Sequence, residues 1–245
     1  MTASPARLGV SAGVQARNAL KLREVFATVD ASSCPSTYNF HMHTVHSDGQ
    51  LTPEQLIEQA IALGLKEFAI TDHHTIEGYR RAKQSLEDWR WRHPAPIHRG
   101  RTRPAATLPR LWVGVEITSL LLETDVHILG YGFDPAHPAM LPYLQSSAPR
   151  GMSQQAGQVI RSIQMAGGLA VLAHPARYRR PAEELIQAGA QLGFDGIESF
   201  YAYDNPKDWR PCPKQTPAIW EQVSGLGLLS TCGTDTHGKC LTRRI

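Results

Sequence analysis

Residues 40–49 read FHMHTVHSDG and place three histidines and one aspartate within a few positions of one another. Imidazole and carboxylate groups are the protein ligands that bind divalent metal ions when thiolates are absent. On a strand, side chains two residues apart point to the same face, so His41 and His43 are expected to lie side by side. Histidines on a surface turn would give the same local sequence. The meaning of this stretch therefore depends on partners elsewhere in the chain.

The chain around this stretch alternates between predicted strands and predicted helices. The best delimited helix is LTPEQLIEQAIALGL at residues 51–65, where Thr52 and Gln55 form a capping box, Pro53 begins the helix and Gly64 ends it. Further helices are predicted at 78–91, 154–166, 182–193 and 216–227. Strands are predicted at 36–43, 66–74, 110–123, 125–133, 168–175, 194–200 and 228–237. This alternation predicts the α/β class with a mostly parallel sheet, and seven strands favour a closed barrel.

Length and composition indicate one ordinary globular domain. The chain has 245 residues, 42% of them hydrophobic, and a formal charge of +3, which is too small to indicate binding to a nucleic-acid backbone. Residues 1–36 are predicted to form a tail with a short helix near Ala16–Thr28, and residues 37–245 to form a single domain. The four cysteines form no CxxC pair, and no apolar run reaches membrane-spanning length. A cytoplasmic location is expected, without contact with a membrane.

One segment interrupts the alternation. Residues 89–110 contain six arginines, several prolines and no acidic residue, which predicts an irregular loop. Two interpretations stay open: a solvated connection between a helix and a strand, or an arm that contacts phosphates. A nucleic-acid-binding role has little support, because only Trp89 and Trp91 could stack on bases.

Histidines and acidic residues recur near the ends of the predicted strands. In a parallel barrel these ends meet at one mouth, so residues scattered through the sequence are expected to lie together. Nine such groups would be poorly solvated at one mouth without cations between them, which predicts a site for Zn²⁺, Mn²⁺ or Fe. The nine are His41, His43, Asp48, His73, Glu116, His127, His174, Asp235 and His237.

The motifs HMHTVHSDG, ITDHH, GVEIT, HILGYG, LAHPARY and GTDTH, taken in this order, resemble those of the polymerase-and-histidinol-phosphatase (PHP) family of metal-dependent phosphoesterases. The resemblance implies a distorted (β/α)7 TIM-like barrel with two to three divalent ions, Mn²⁺, Zn²⁺ or Fe, with Mg²⁺ also allowed. It implies three ion positions. Their expected ligands are His41, His43, Glu116 and Asp235 for the first, Glu116, His127 and His174 for the second, and Asp48, His73 and His237 for the third.

The same resemblance implies an enzyme that hydrolyses phosphate monoesters through attack by a metal-bound hydroxide. Glu116, His237 and Arg177 are the residues expected to act in catalysis. Arg177 follows His174 by three positions, where its planar guanidinium could hold a substrate phosphate, although an ordinary surface arginine is the alternative. His74 stands where the family often has aspartate, which leaves a supporting or proton-transferring role open.

The HPARY motif resembles the branch that contains nucleoside 3′,5′-bisphosphate phosphatases and 5′→3′ exoribonucleases. Those proteins carry a helical insertion between the HILG and AHP motifs, whereas residues 133–169 leave room for little beyond one helix. The expected substrate is a small phosphorylated molecule, with nucleoside bisphosphates and 5′-phosphorylated short oligonucleotides as candidates. The alternatives are a histidinol-phosphate phosphatase and a catalytically silent metal-binding barrel. The silent barrel would be missing a ligand, and none is missing.

Overall fold

The computed structural model describes residues 5–93 and 108–245. The middle of the arginine-rich segment, with its predicted loop and phosphate-contacting arm, lies outside these residues. The strands are β1 (Tyr38–Asn39), β2 (Glu67–Ile70), β3 (Arg110–Leu121), β4 (Thr124–Tyr131), β5 (Leu169–Leu172), β6 (Gly196–Phe200) and β7 (Leu229–Cys232). The helices are α1 (Pro5–Phe26), α2 (Pro53–Leu63), α3 (Glu77–Arg92), α4 (Ala156–Met165), α5 (Ala182–Leu192) and α6 (Thr216–Gly225). Short 3₁₀ turns occur at Pro138–Tyr143, Gly151–Gln154 and Pro175–Arg177.

The seven strands form one sheet in sequence order, from β1 to β7. The first and last strands approach each other, because Phe40 N donates to Cys232 O at 2.9 Å and Met42 forms a parallel bridge with Thr236. The sheet is therefore a nearly closed barrel with helices around it, which confirms the predicted distorted TIM-like fold. Among the described residues, no helix has the length and apolar character needed to cross a membrane.

The barrel departs from a parallel arrangement at β4. This strand pairs antiparallel with both β3 and β5, whereas the other neighbouring strands pair parallel. β3 and β4 form a hairpin whose two turn residues, Leu122 and Glu123, both have positive φ. Such a short connection cannot cross over to a parallel strand. The predicted strands 110–123 and 125–133 are separated by a single residue, and this short gap is the sequence signal for the reversal.

The interior of the barrel is filled by apolar side chains from the strands and from the end of α1. Phe26 packs edge-on against Phe40 and Tyr131, with ring centroids 4.9 and 5.4 Å apart, and Leu22 beside it is fully buried. The Tyr131 hydroxyl donates to Phe40 O at 2.8 Å, which satisfies its polar group inside the core. α1 begins at Pro5, well before the expected Ala16, and its last turns cover this end of the barrel.

The outer face of the sheet is covered by the other helices. α2 has the predicted ends: Thr52 and Gln55 form the capping box, and Gly64 ends the helix with φ of 73°. Leu56, Ile57 and Ala60 on one face of α2 are buried. Burial of each large apolar side chain stabilises the fold by about 1.5–3 kcal/mol, so this face fixes the helix against the sheet.

Residues 133–169, the segment between the HILG and AHP motifs, contain two 3₁₀ turns and α4. α4 packs Val159, Ile160 and Ile163 into the apolar cluster outside the sheet. The segment is thus used to cover the barrel wall, in keeping with the expectation of little beyond one helix.

Candidate metal centre

Glu116 is the centre of the polar cluster inside the barrel. It lies within β3, where alternation turns Val115 and Ile117 outward into an apolar cluster and turns Glu116 inward. Its side chain is 1% exposed. Five histidines surround the carboxylate: His127 Nδ1 at 2.6 Å, His41 Nε2 at 2.9 Å, His43 Nε2 at 3.0 Å, His174 Nε2 at 3.5 Å and His73 Nε2 at 3.7 Å.

Several of these atoms are close without being hydrogen bonded. His43 Nε2, Glu116 Oε1 and His127 Nδ1 are buried and have no hydrogen-bond partner of acceptable geometry in the described part of the chain. A buried polar atom without a partner is costly, and native proteins usually pair it with protein, water or an ion. Nitrogen and oxygen lone pairs converging on one space match the ligand set of Zn²⁺, Mn²⁺ or Fe. The residues fit divalent ions.

Three compact groups of possible ligands can be distinguished, and within each the ligand atoms lie within 4.8 Å of one another. They are His41, His43, Glu116 and Asp235; His73, Glu116 and His127; and His43, Asp48, His73 and His237. The first has the same members as the first expected position. In the second, His73 stands where His174 was expected, and in the third His43 joins the expected residues. His174 remains beside Glu116 but belongs to none of the three groups.

Some of these residues follow the end of a strand, and others lie inside a strand. His41, His43, His73, His174, Asp235 and His237 follow the C-terminal ends of their strands, at the mouth predicted for a barrel. His127 lies inside β4, where it pairs in register with Thr118 of β3. Because β4 runs in the opposite direction, its early residues reach the mouth. Glu116 was expected at the end of its strand, but it lies inside β3.

The backbone at the mouth is strained at three positions. His74, His174 and Asp235 have φ of 55°, 28° and 51°, in the left-handed region that non-glycine residues seldom adopt. Such conformations cost about 1–3 kcal/mol each and persist where surrounding contacts hold them. Asp235 N, for example, donates to His41 O at 2.8 Å. Two residues earlier, a Cβ at Gly233 would overlap His41, so only glycine allows β7 to pass so close.

The loop after β1 is held in place by Asp72, a residue that the sequence did not single out. Its buried carboxylate accepts hydrogen bonds from Thr44 N at 2.7 Å, Thr44 Oγ1 at 2.7 Å and Ser47 Oγ at 2.8 Å. These bonds fix the turn that carries Asp48 towards His237 and His73, at 3.2 and 3.6 Å. The threonine and serine of the HTVHSD motif therefore position the turn.

Glu198, in β6, orients the ring of His41 and holds the backbone of His174. Its buried carboxylate contacts His41 Nδ1 at 3.0 Å and accepts a hydrogen bond from His174 N at 2.8 Å. A carboxylate on the far nitrogen of an imidazole fixes the ring and its tautomer, so that Nε2 is directed at the cluster.

Tyr201 and Arg244 are site residues that the sequence did not reveal. The Tyr201 hydroxyl donates to Asp235 Oδ2 at 2.6 Å, and Arg244 Nε donates to the same oxygen at 2.9 Å. Tyr201 is fully buried. Neither residue belongs to a motif with the histidines, so only the fold brings them to Asp235.

Arg177 also lies at Asp235. Its Nη1 donates to Asp235 Oδ2 at 3.0 Å and to the Tyr201 hydroxyl at 3.1 Å, and its side chain is 38% exposed. Two further arginines follow in the chain. Arg179 is exposed, and Arg180 pairs with Glu184 at 2.7 Å. Arg177 is thus the arginine of this motif that reaches the cluster.

The carboxylates and imidazoles of the cluster shift one another's pKa values towards the charged forms in Glu116 and His43. Burial raises the pKa of Glu116, but the nearby His41 and His127 outweigh burial and hold the pKa well below its ordinary value. Burial lowers the pKa of His43, but contacts with Asp235 and Glu116 outweigh burial and raise it to about 9. A protonated imidazole cannot bind a metal ion, so ion binding at His43 displaces a proton.

His74 differs from these histidines. Its Nε2 lies 3.2 Å from Thr118 Oγ1, and burial, with smaller contributions from His73 and His127, lowers its pKa to about 4. The ring is therefore neutral near pH 7. It lies behind His73 and contacts the β3 strand, and it is absent from the three ligand groups.

Residues 39–130 match the family model of the PHP domain. The matched stretch is less than half of the chain and shows a similarity to PHP domains. The matched residues include β1 to β4 and six of the nine expected ligands, and the remaining three, His174, Asp235 and His237, follow in the second half of the same barrel.

Proteins similar to this chain include two curated bacterial relatives. The 5′-3′ exoribonuclease Rnm of Salmonella typhimurium is 34% identical over 46% of this chain and 33% of its own length. The 3′,5′-nucleoside bisphosphate phosphatase of Chromobacterium violaceum is 33% identical over 53% of this chain and 39% of its own length. The chain therefore spans less than half of the length of these relatives.

A solved structure has the same fold. A Bifidobacterium adolescentis protein classed among the metal-dependent phosphoesterases superposes with a TM-score of 0.63 and 24% identity. The superposition covers 84% of this chain and 89% of that one. The likeness extends over nearly the whole barrel, beyond the residues matched by the PHP family model.

Proposed function

We propose that this chain is a metal-dependent phosphoesterase that hydrolyses phosphate esters of nucleotides or short oligonucleotides. The observation that carries the proposal is the buried carboxylate of Glu116, which has five histidine nitrogens within 3.7 Å. A catalytically silent metal-binding barrel would use the same cluster, so turnover of a phosphate ester is what distinguishes the two. No serine or cysteine in a recognisable nucleophile motif offers a covalent alternative.

The three ligand groups would hold the ions. Divalent ions bound there would supply Lewis acidity towards phosphate oxygens and make water a nucleophile near neutral pH. The chain's own residues fix the geometry, because Glu198 orients His41, and Tyr201 with Arg244 holds Asp235. A preorganised polar site of this kind stabilises charge that develops in the transition state.

Arg177 would bind the substrate phosphate. Its side chain is partly exposed at the mouth, and its contact with Asp235 uses one terminal nitrogen. A guanidinium can donate two parallel hydrogen bonds to a phosphate, and it stays charged at any physiological pH. Arg177 can thus hold the phosphate next to the ligand cluster and neutralise part of its charge.

The mouth is open enough for an ester with a bulky alcohol. Asp48 is 52% exposed, and His127, His73 and His237 are each between 23% and 31% exposed. Glu116, His41 and His43 lie deeper and are buried. A phosphate can enter while a nucleoside or the next nucleotide stays outside. The names of the exoribonuclease and bisphosphate phosphatase relatives favour nucleotides as this outer part.

The direct test is a phosphate-release screen. Purified protein is treated with chelator, dialysed and assayed with Mn²⁺, Zn²⁺ or Mg²⁺ on a nucleoside 3′,5′-bisphosphate, a 5′-phosphorylated oligonucleotide and histidinol phosphate. We expect metal-dependent release from the two nucleotide substrates. Release from histidinol phosphate alone would support the alternative enzyme, and no release from any phosphate ester, with full metal content, would support the silent barrel.

Substitution of Arg177 tests the phosphate contact. Arg177→Lys should lower kcat/KM by roughly tenfold to a hundredfold, because an ammonium cannot reproduce a bidentate contact between charged groups. The matched control is Arg179→Lys, which changes an exposed arginine in the same segment and should leave kcat/KM unchanged. Equal, small effects of both substitutions would remove Arg177 from the site.

A further inference from the structure

The two oxygens of Asp235 have different surroundings. Oδ1 faces the histidines, with His43 Nε2 at 3.2 Å, His41 Nε2 at 3.4 Å and His237 Nδ1 at 3.5 Å. Oδ2 faces away from them and accepts hydrogen bonds from Tyr201, Arg244 and Arg177, at 2.6, 2.9 and 3.0 Å. Three donors exceed what one carboxylate oxygen needs, and two of them carry a full positive charge.

The three donors differ in how firmly they are held. Tyr201 is 1% exposed, and its hydroxyl makes the shortest of the three hydrogen bonds to Oδ2. The side chain of Arg244 is 18% exposed and that of Arg177 is 38% exposed. Arg177 is therefore the donor that can leave most easily.

The backbone of Arg244 is tied to the cluster as well. His237 N donates to Arg244 O at 2.6 Å, so Arg244 touches the residue on each side of Thr236. Leu241, in the same segment, is fully buried, and its backbone N donates to Gln59 Oε1 of α2 at 2.8 Å. Residues 238–244 thus form a strap between α2 and the mouth that presents the Arg244 guanidinium to Asp235.

We propose that Arg244 is a positioning residue that, with Tyr201, keeps Asp235 Oδ2 occupied so that Arg177 can exchange Asp235 for the substrate phosphate. Oδ2 then stays hydrogen bonded to Tyr201 and Arg244 while Arg177 moves, and Oδ1 continues to face the ion position. The role of Arg177 in this exchange rests on the proposed phosphoesterase function, whereas the role of Arg244 towards Asp235 does not. Without Arg244, Arg177 would be needed by the carboxylate and by the phosphate at the same time.

The test is a double-mutant cycle read by metal affinity and by kinetics. Arg244→Gln, Arg177→Gln and the double variant are titrated with Mn²⁺ after chelation, and kcat and KM are measured with the best substrate of the screen. Arg244→Gln should weaken Mn²⁺ binding by roughly tenfold to a hundredfold, the usual effect of removing a group that orients a ligand. Arg177→Gln should raise KM by roughly tenfold and change Mn²⁺ affinity by less than about threefold.

The decisive result is the interaction between the two substitutions. In the Arg244→Gln background, Arg177→Gln should weaken Mn²⁺ binding by a further tenfold or so, although it does little by itself, because residues that share one acceptor are not additive. Additive effects, or an Arg244→Gln variant with unchanged Mn²⁺ affinity, would overturn the proposal. Arg243→Gln, an exposed neighbour, is the control for loss of charge and should bind Mn²⁺ normally.

Two further variants keep the test informative if Arg244→Gln does not fold. Arg244→Lys keeps the charge and should bind Mn²⁺ more tightly than Arg244→Gln but more weakly than the unsubstituted protein. Tyr201→Phe removes one donor to Oδ2 while keeping the ring. Both should weaken Mn²⁺ binding, and normal affinity in both would overturn the proposal. If no substrate is hydrolysed, the proposed function fails, while the Mn²⁺ titrations still decide the role of Arg244.

Discussion

Replacement of Glu116 by glutamine removes the charge at the centre of the cluster and keeps its shape. Glu116 belongs to two of the three ligand groups, the one with Asp235 and the one with His127, and is absent from the group formed by His43, Asp48, His73 and His237. The substitution should therefore empty two ion positions and spare one. Its amide nitrogen, a donor, would also face imidazole nitrogens that now meet a carboxylate.

The size of the effect follows from this geometry. Removing a group that only supports a metal ligand costs about 10–100-fold in affinity, so loss of a charge in direct contact with five histidines should reach at least the upper end. Turnover should fall by roughly 10²–10³-fold, the scale seen when a site loses one preorganised charge or donor. These losses should appear together, because both arise from the same carboxylate.

The assay combines elemental analysis of the purified protein with phosphate release at saturating Mn²⁺. Glu123→Gln is the matched control, since Glu123 is exposed at the turn of the same β3–β4 hairpin. The control should keep full metal content and turnover. Near-normal turnover and metal content in Glu116→Gln would refute the central role of Glu116, and loss of turnover with full metal content would assign it a role in catalysis alone.

Other predictions concern the support of the site and the stability of the barrel. Glu198→Gln should weaken Mn²⁺ binding by roughly 10–100-fold, measured by titration, because His41 loses its orienting carboxylate. Removal of metal should lower the melting temperature by roughly 5–11 °C, measured by calorimetry, since ions at a hundredfold excess over Kd stabilise the fold by about 2.7 kcal/mol. Leu22→Ala should reduce the free energy of unfolding by about 2–5 kcal/mol in urea titrations, because it opens a cavity under the barrel. Thr52→Ala should cost about 1 kcal/mol through the lost cap of α2 and leave Mn²⁺ affinity unchanged; a change in affinity would show that α2 is coupled to the site.

The sequence predicts the framework of this barrel well, because its signals are local. The cap at Thr52 and the end at Gly64 depend on a few neighbouring residues, and short apolar runs between helices mark strands such as β5. The reversal of β4 depends on which strands pair. The pattern of β4 itself is the same in either direction, and only the short gap at Leu122 and Glu123 records the hairpin.

The sequence also predicts one part of the candidate site and misses another part. Histidines and carboxylates in motifs are visible in the sequence, and the structure brings them together around Glu116. Tyr201 and Asp72 act through hydrogen bonds to residues 34 and 28 positions away, and Arg244 contacts Asp235 across an irregular segment of nine positions. No local sequence pattern marks these contacts. Their roles become visible only when the fold specifies which atoms they face.

The closure of the barrel has a consequence for the order of events during synthesis. Asn39 and Thr234, which are hydrogen bonded at the seam between the first and last strands, are 195 residues apart. The ligand group that contains His41 also contains Asp235, so it cannot assemble until this seam has formed. Contacts so distant in sequence form late, after the entropy of closing a long loop has been overcome. A ribosome must therefore release almost the whole barrel before this ligand group can form, whereas the residues of the group His73, Glu116 and His127 all precede the end of β4. Binding of an ion between His41 and Asp235 would therefore mark a late step of folding.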